Sequence, residues 1–388
     1  MSPDRSARAL RPRLEAALAN LALSAVALLL ALVAAEAGVR LLTRTSPSLL
    51  VADPVVGKRF LPGFASRVFV PECDCDVELR FNRDGLRGPD RPHQLPPGVR
   101  RLALVGDSMV AAVATAEERT LAGRLEQLLA SAPPGATWEV MNAGVSSSST
   151  GSELALYREV LSRYSPQLVV LVFWVGNDLA DNSLALTRAP RLYFDLEPDG
   201  RLRQLPYAFQ PSALAEWLDR RSRLYVWQKA ALRQVRAGFR ARRGVVDPVE
   251  LVFARPEPEA AAHAWAITAA LLRAFRRETA ARGATLVLVA APAPAQVYDD
   301  LWAELEGRAA REGLTLARDH PEERLGELCR SAGIPFLALA PAFRDAAPHR
   351  DSTRRPEQLY YQGRFHWNDE GNALAAALVH DFTRTMAP

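Results

Sequence analysis

A chain of 388 residues, 49% hydrophobic and 24% charged, can bury a sizeable core without disulfide or metal staples, which excludes small stapled scaffolds and wholesale disorder. Its 48 cations and 44 anions leave a formal charge of +4 with no polybasic tail, so nucleic-acid binding gets no support. Cys73, Cys75 and Cys329 form neither CxxC pairs nor a His/Cys cluster, and no metal or cofactor is expected. In an oxidising compartment Cys329 can pair with Cys73 or Cys75; otherwise the thiols stay unpaired.

The chain begins with Arg5, Arg8, Arg11 and Arg13, followed by the apolar run Ala17 to Ala35. Those 19 residues approach the roughly 20 that cross a bilayer as a helix. Four arginines before the run against Arg40 and Arg44 after it predict a cytoplasmic amino terminus and an exported remainder. Ala35-Glu36-Ala37 also fits a signal-peptide cleavage site, although the apolar run is longer than such peptides need. The boundaries that follow are a cytoplasmic 1–16, a membrane span 17–36, and a stalk with a small β collar 37–98. Residues 99–388 form the main domain, interrupted by an insertion at 179–259.

The collar holds short strand-like runs at Arg67 to Val70 and Val77 to Phe81 and ends in the turn signal Asn82-Arg83-Asp84-Gly85. Beyond it, apolar runs at Arg101 to Val105, Trp138 to Met141, Leu168 to Trp174, Thr285 to Ala290 and Pro335 to Leu339 are separated mostly by helix-length stretches. This alternation predicts an α/β fold, a three-layer α/β/α sandwich around a five-stranded parallel sheet. The insertion carries a hairpin pattern at Leu192 to Leu202, then Ser212 as an N-cap for a helical region running towards Arg243. Its Arg233, Arg236, Arg240, Arg242 and Arg243 read as a solvated face, or as a surface for anionic headgroups.

The residues with chemistry fall at strand ends. Gly106-Asp107-Ser108 follows the first strand of the sheet, Asn142-Ala143-Gly144 the second, and Gly176-Asn177-Asp178 the third. The carboxyl edge of such a sheet is where ligands sit. Ser108 is a candidate nucleophile, and a glycine N–H and an asparagine amide are donors for a developing oxyanion. His366-Trp367-Asn368, ahead of an Ala-rich helix, supplies a candidate general base. Tyr360 and Tyr361 are candidates for lining a cleft. His93, His263, His320, His349 and His380 read as surface or packing residues.

These blocks, in this order, resemble the SGNH/GDSL hydrolase superfamily from about Asn82 onward. The wider strings Ala143-Gly144-Val145, Gly176-Asn177-Asp178-Leu179 with Asp181-Asn182, and His366-Trp367-Asn368 with Gly371 are similar to a membrane-anchored bacterial subgroup. The resemblance implies a flavodoxin-like sheet. It also implies Ser108 as nucleophile, His366 as base, and an oxyanion hole of Ser108 N–H, Gly144 N–H and the Asn177 side chain. One departure stands out. The aspartate that members carry two or three residues before the histidine is replaced by Arg364 and Gly363. Asp351 and Asp369 are the candidate substitutes, the latter also a natural helix cap. Without an acid, a Ser108–His366 dyad with the imidazole pKa lowered by Arg364 would be a slow esterase.

The resulting expectation is a serine ester hydrolase, esterase- or lipase-like, held at the inner membrane with its domain in the periplasm. Its substrate would be an acyl ester, on a glycan or a lipid. Two alternatives stay open: O-acyl (acetyl) transfer or deacetylation on an exported polysaccharide, and a degenerate SGNH scaffold that binds without turnover.

Overall fold

The structure is a computed structural model. It describes all residues except 1–3, 45, 47, 132–136, 208–210, 244–245, 355–357, 362–364 and 385–388, and it leaves out the side chains of 4–14 and 236–243. Gly363 and Arg364 therefore lie outside the described residues, as do the side chains of Arg236, Arg240, Arg242 and Arg243. The chain divides into two compact units, one of residues 1–48 with 212–238, the other of 49–211 with 239–388.

The larger unit is built on a five-stranded parallel sheet. In chain order the strands of this unit are β1 (Leu50–Asp53), β2 (Gly57–Phe60), β3 (Ala65–Val70), β4 (Cys75–Arg80), β5 (Val99–Gly106), β6 (Thr137–Gly144), β7 (Leu168–Trp174), β8 (Phe194–Leu196), β9 (Leu202–Gln204), β10 (Thr285–Ala291) and β11 (Phe336–Ala338). The sheet runs β11-β10-β7-β5-β6, every neighbour parallel. The chain starts at β5, steps outward to β6, then crosses to β7 on the other side and continues away. The crevice where this order reverses lies between the carboxyl ends of β5 and β7, the place such sheets offer a ligand.

Strand periodicity explains the three layers. Residues alternating along the strands divide between two cores, one on each face of the sheet. Ala103, Val105, Leu171, Phe173, Leu288 and Ala290 join Trp265, Leu271 and Phe275 of the helix Glu259–Ala280. Leu102, Leu104, Val170, Val172, Val287 and Val289 join Leu125 of the helix Leu121–Ala130 and Val379 of the helix Asp369–Arg384. Every residue of β7 is buried, as a central strand covered on both faces requires.

The collar strands β1 to β4 belong to this unit. β1 pairs with β2 and β3 with β4, each antiparallel. Phe60 stacks on Phe81 with centroids 4.2 Å apart, and with Val70, Val77 and Leu79 they pack against Ala111 and Ala114. The turn at Asn82 forms as expected, with the Asn82 carboxamide oxygen accepting from Asp84 N and Leu86 N. Arg87 adds a polar stitch: its buried guanidinium donates to the carbonyls of Ala111, Ala112 and Thr115. Those carbonyls end the short helix Ser108–Ala111, so the collar holds the segment that follows Ser108.

The expected hairpin in the insertion is β8 paired with β9. The expected helical region holds two helices, Ala213–Arg221, capped by Ser212, and Arg223–Arg243, separated at Ser222. In the smaller unit these pack with the helix Asp4–Leu42, within which Glu15–Leu42 is long and apolar enough to cross a membrane. The Glu36 carboxylate accepts from Ser222 Oγ and from the amides of Arg223 and Leu224, so it caps the second helix and fixes the break.

Candidate active site

Ser108 follows β5 by one residue and opens the helix Ser108–Ala111, capped by Asp107, whose carboxylate accepts from Met109 N at 2.8 Å. The close fit of this helix against β6 explains Gly144. A side chain there would stand 2.1 Å from Ala111 N, so glycine is the residue the packing admits. The Gly144 amide donates to Asn142 Oδ1 at 3.1 Å, and Asn142 Nδ2 donates in turn to Val110 O. The Gly144 N–H, expected in the oxyanion hole, is engaged by Asn142 here, and the residue also seats the helix behind Ser108.

His366 reaches the same edge just before the helix Asp369–Arg384, after β11 and the helix Ala340–Ala346. Its neighbours hold it: Tyr361 N donates to His366 O, and Trp367 is buried against Phe343. His366 Nε2 lies 2.7 Å from Ser108 Oγ. On the other ring nitrogen, Nδ1 lies 2.7 and 2.9 Å from the two carboxylate oxygens of Glu72. Glu72 sits in the turn between β3 and β4, beside a disulfide that joins Cys73 to Cys75. Cys329, which the sequence offered as a partner for either, is buried and free.

Among the described residues it is Glu72, not either expected acid, whose carboxylate meets the His366 ring. Asp351 is a loop residue whose carboxylate accepts from Thr353 N and Oγ1. Asp369 pairs with Arg119 at 2.8 Å. It is not the helix cap either, since Asn368 Oδ1 accepts from Glu370 N and Gly371 N. The expected pKa shift reverses sign too. Burial works against the imidazolium, but the Glu72 carboxylate and the charge of Asp107 outweigh it and raise the His366 pKa above its ordinary 6.5.

Asn177 follows β7 across the crevice, and its Nδ2 donates to Asp107 Oδ2 at 3.2 Å. An amide nitrogen has two hydrogens, so one is left for a ligand. Beneath Asp107 lie more acids than bases. Glu153 and Asp178 are fully buried, and burial, then the charge of Asp107, pushes both carboxyls well above the usual range. Arg191, ion-paired with Asp181, is the buried cation among them, and burial lowers its pKa.

Two openings flank these residues. A groove of about 830 Å³ is lined by Cys73, Cys75, Tyr361, Asn368 and several carboxylates. A second cleft, of about 540 Å³, is lined by Trp174, Asn177 and Phe365 among others. Tyr361 therefore lines an opening, whereas Tyr360 is buried with its hydroxyl on Pro292 O.

A serine hydroxyl on an imidazole whose far nitrogen meets a carboxylate, at the switch point of a 2-1-3-4-5 parallel sheet, defines an α/β/α protein of SGNH type. Residues 253–387 match the family described as "SGNH hydrolase-like domain, acetyltransferase AlgX"; the stretch holds the histidine block but not Ser108. With the four ordered blocks and the fold, that match, over about a third of the chain, makes it similar to the SGNH/GDSL hydrolase superfamily. Comparison with curated proteins gives no match. Among solved structures, the chain is similar to a lipase/acylhydrolase from Enterococcus faecalis (16% identity, 74% of this chain and 96% of that one, TM-score 0.39). It is likewise similar to a catalytic mutant of Axe2, an acetylxylan esterase from Geobacillus stearothermophilus (12%, 73% and 93%, TM-score 0.40). A third is the acetyl xylan esterase AlAXEase (14%, 74% and 100%, TM-score 0.39).

Proposed function

We propose that the chain is a serine acyl hydrolase that works through an acyl-enzyme on Ser108. The observation that carries the reading is the continuous path Ser108 Oγ, His366 Nε2, His366 Nδ1, Glu72, with 2.7 Å at both ends of the imidazole. As Ser108 Oγ attacks the ester carbonyl, its proton moves to Nε2, and the Glu72 carboxylate stabilises the imidazolium. Ser108 N–H and the second Nδ2 hydrogen of Asn177 stabilise the oxyanion. The imidazolium then gives its proton to the leaving alkoxide, and a water activated at Nε2 releases the acid.

The matched family's description favours a second reading, acyl transfer, in which a saccharide hydroxyl replaces that water. Both use the same residues and differ in the acceptor. Glu72 supplies the acid whose absence motivated a non-catalytic scaffold.

The arginine asymmetry and the apolar helix support a single-pass anchor at 17–36 with 1–16 cytoplasmic. On that reading the collar (37–98) and the domain (99–388, with its insertion at 179–259) are periplasmic. A periplasm-active reporter fused after Gly98 should then be active, and cytoplasmic reporter activity would reject the topology. For the chemistry, Ser108→Ala should abolish release of acid from model esters. Comparing acid release with transfer to added saccharide decides between the two acceptors.

A further inference from the structure

Asn177 and Phe365 line the cleft of about 540 Å³, and Trp174, Phe253, Leu301 and Leu305 are among its apolar residues. It begins beside the base: the Trp174 ring lies 6.1 Å from the His366 ring and 6.4 Å from that of Phe365. Phe365, next to the base in sequence, is 65% exposed. The charged groups of the cleft are already engaged. Arg308 pairs with Glu250 and Glu304, and the Asp247 carboxylate accepts from Val249 N. A polyol entering here would lose water and find few free partners, whereas a hydrocarbon would lose nothing and bury apolar surface.

We propose that this cleft is an acyl-chain subsite, taking medium-length acyl groups of about six to ten carbons with the ester carbonyl at Ser108 and the tail against Trp174, Phe253, Leu301 and Phe365. The proposal rests on Ser108 being the acylated residue. An acetyl group would leave most of the volume empty. A longer chain fills it, and each buried methylene should raise kcat/KM roughly fourfold until the cleft is full.

The test uses the full-length chain in lipid nanodiscs with p-nitrophenyl esters from acetate to dodecanoate. kcat/KM should climb to an optimum between hexanoate and decanoate, and Leu301→Trp should lower the octanoate-to-acetate ratio at least tenfold. A profile that is best at acetate, or an octanoate-to-acetate ratio untouched by Leu301→Trp in a folded variant, overturns the proposal. Calorimetry on Ser108→Ala, with empty nanodiscs as the blank, reads the cleft without catalysis. Octanoate should bind at least tenfold more tightly than butyrate and lose that advantage in Ser108→Ala with Phe365→Ala; equal binding of the two acids overturns the proposal. Ser108-dependent acetate hydrolysis with no gain from longer chains defeats the cleft and leaves the hydrolase reading standing. Tight octanoate binding with no turnover of any ester defeats the hydrolase reading and leaves the cleft.

Discussion

Glu72 and His366 are 294 positions apart in the chain, and their side chains meet at 2.7 Å. The carboxylate that orients the imidazole comes from a collar hairpin, not from the loop that carries the histidine. The collar is thereby tied to the chemistry: the strands that hold Glu72 also pack on Ala111 and Ala114, just behind Ser108.

Replacing Glu72 by Gln should lower kcat by roughly 10³- to 10⁴-fold with little change in KM, as loss of the orienting acid does in serine proteases. The pH profile should move as well. His366 must be neutral to accept a proton, and its pKa is raised, so wild-type kcat/KM should fall as pH drops through a value above 6.5. In Glu72→Gln the opposing effect of burial remains while the carboxylate is gone, and the midpoint should shift downward. A pH–rate profile of the two proteins checks the sign; an unshifted midpoint would place the acid elsewhere.

The disulfide between Cys73 and Cys75 closes the turn next to Glu72. Reducing it, or changing both cysteines to serine, should let that turn relax and lower kcat by up to roughly 100-fold, since small misplacements of catalytic groups carry such costs. Activity assayed with and without reductant, with the double variant as a reductant-insensitive control, measures this. The free thiol of Cys329 is buried in the core, so Cys329→Ser should leave the reductant response in place.

Asn177→Ala should lower kcat by roughly 10²- to 10³-fold if its amide meets the oxyanion. Gly144→Ala should behave differently. A methyl group at that position collides with the Ala111 backbone, so the expected loss is of folded protein, read by thermal melting, and not a selective loss of turnover.

Glu153 has a raised pKa in the folded state, so above its unfolded value of about 4.5 the folded chain binds the proton that the unfolded chain releases. Its contribution to stability is therefore complete below that value and declines as pH rises towards the folded pKa. Glu153→Gln removes the titration. The Tm of the variant should exceed that of wild type by more at pH 8 than at pH 5, and an equal difference at both would contradict a protonated Glu153.

Much of this architecture is legible in the sequence because it is local. The strands of the sheet are apolar runs, and Ser108, Asn177 and His366 are marked by the strand end or helix start beside them. Glu72 has no such mark. Its turn lies among short, poorly periodic strands, and what brings it to His366 is the packing of Phe60, Leu79 and Phe81 on the helix after Ser108. The pairing of Cys73 with Cys75 is hidden for a related reason, because it depends on a turn in which Asp74 takes φ of 49°. At Gly144 a glycine at a strand end serves an oxyanion or a close packing equally well, and its tight contact with Ala111 is a tertiary feature that the sequence does not mark.

If His366 and Glu72 activate Ser108, that serine reacts with an electrophile aimed at nucleophilic hydroxyls. Mass-spectrometric mapping of a fluorophosphonate adduct tests this activation most directly, on the wild-type chain and on Ser108→Ala, His366→Ala and Glu72→Gln. Ser108 should be modified stoichiometrically in wild type and not at all in Ser108→Ala, with labelling slowed by orders of magnitude in the other two. Equal labelling rates in wild type, His366→Ala and Glu72→Gln, or an adduct on another residue, would contradict it.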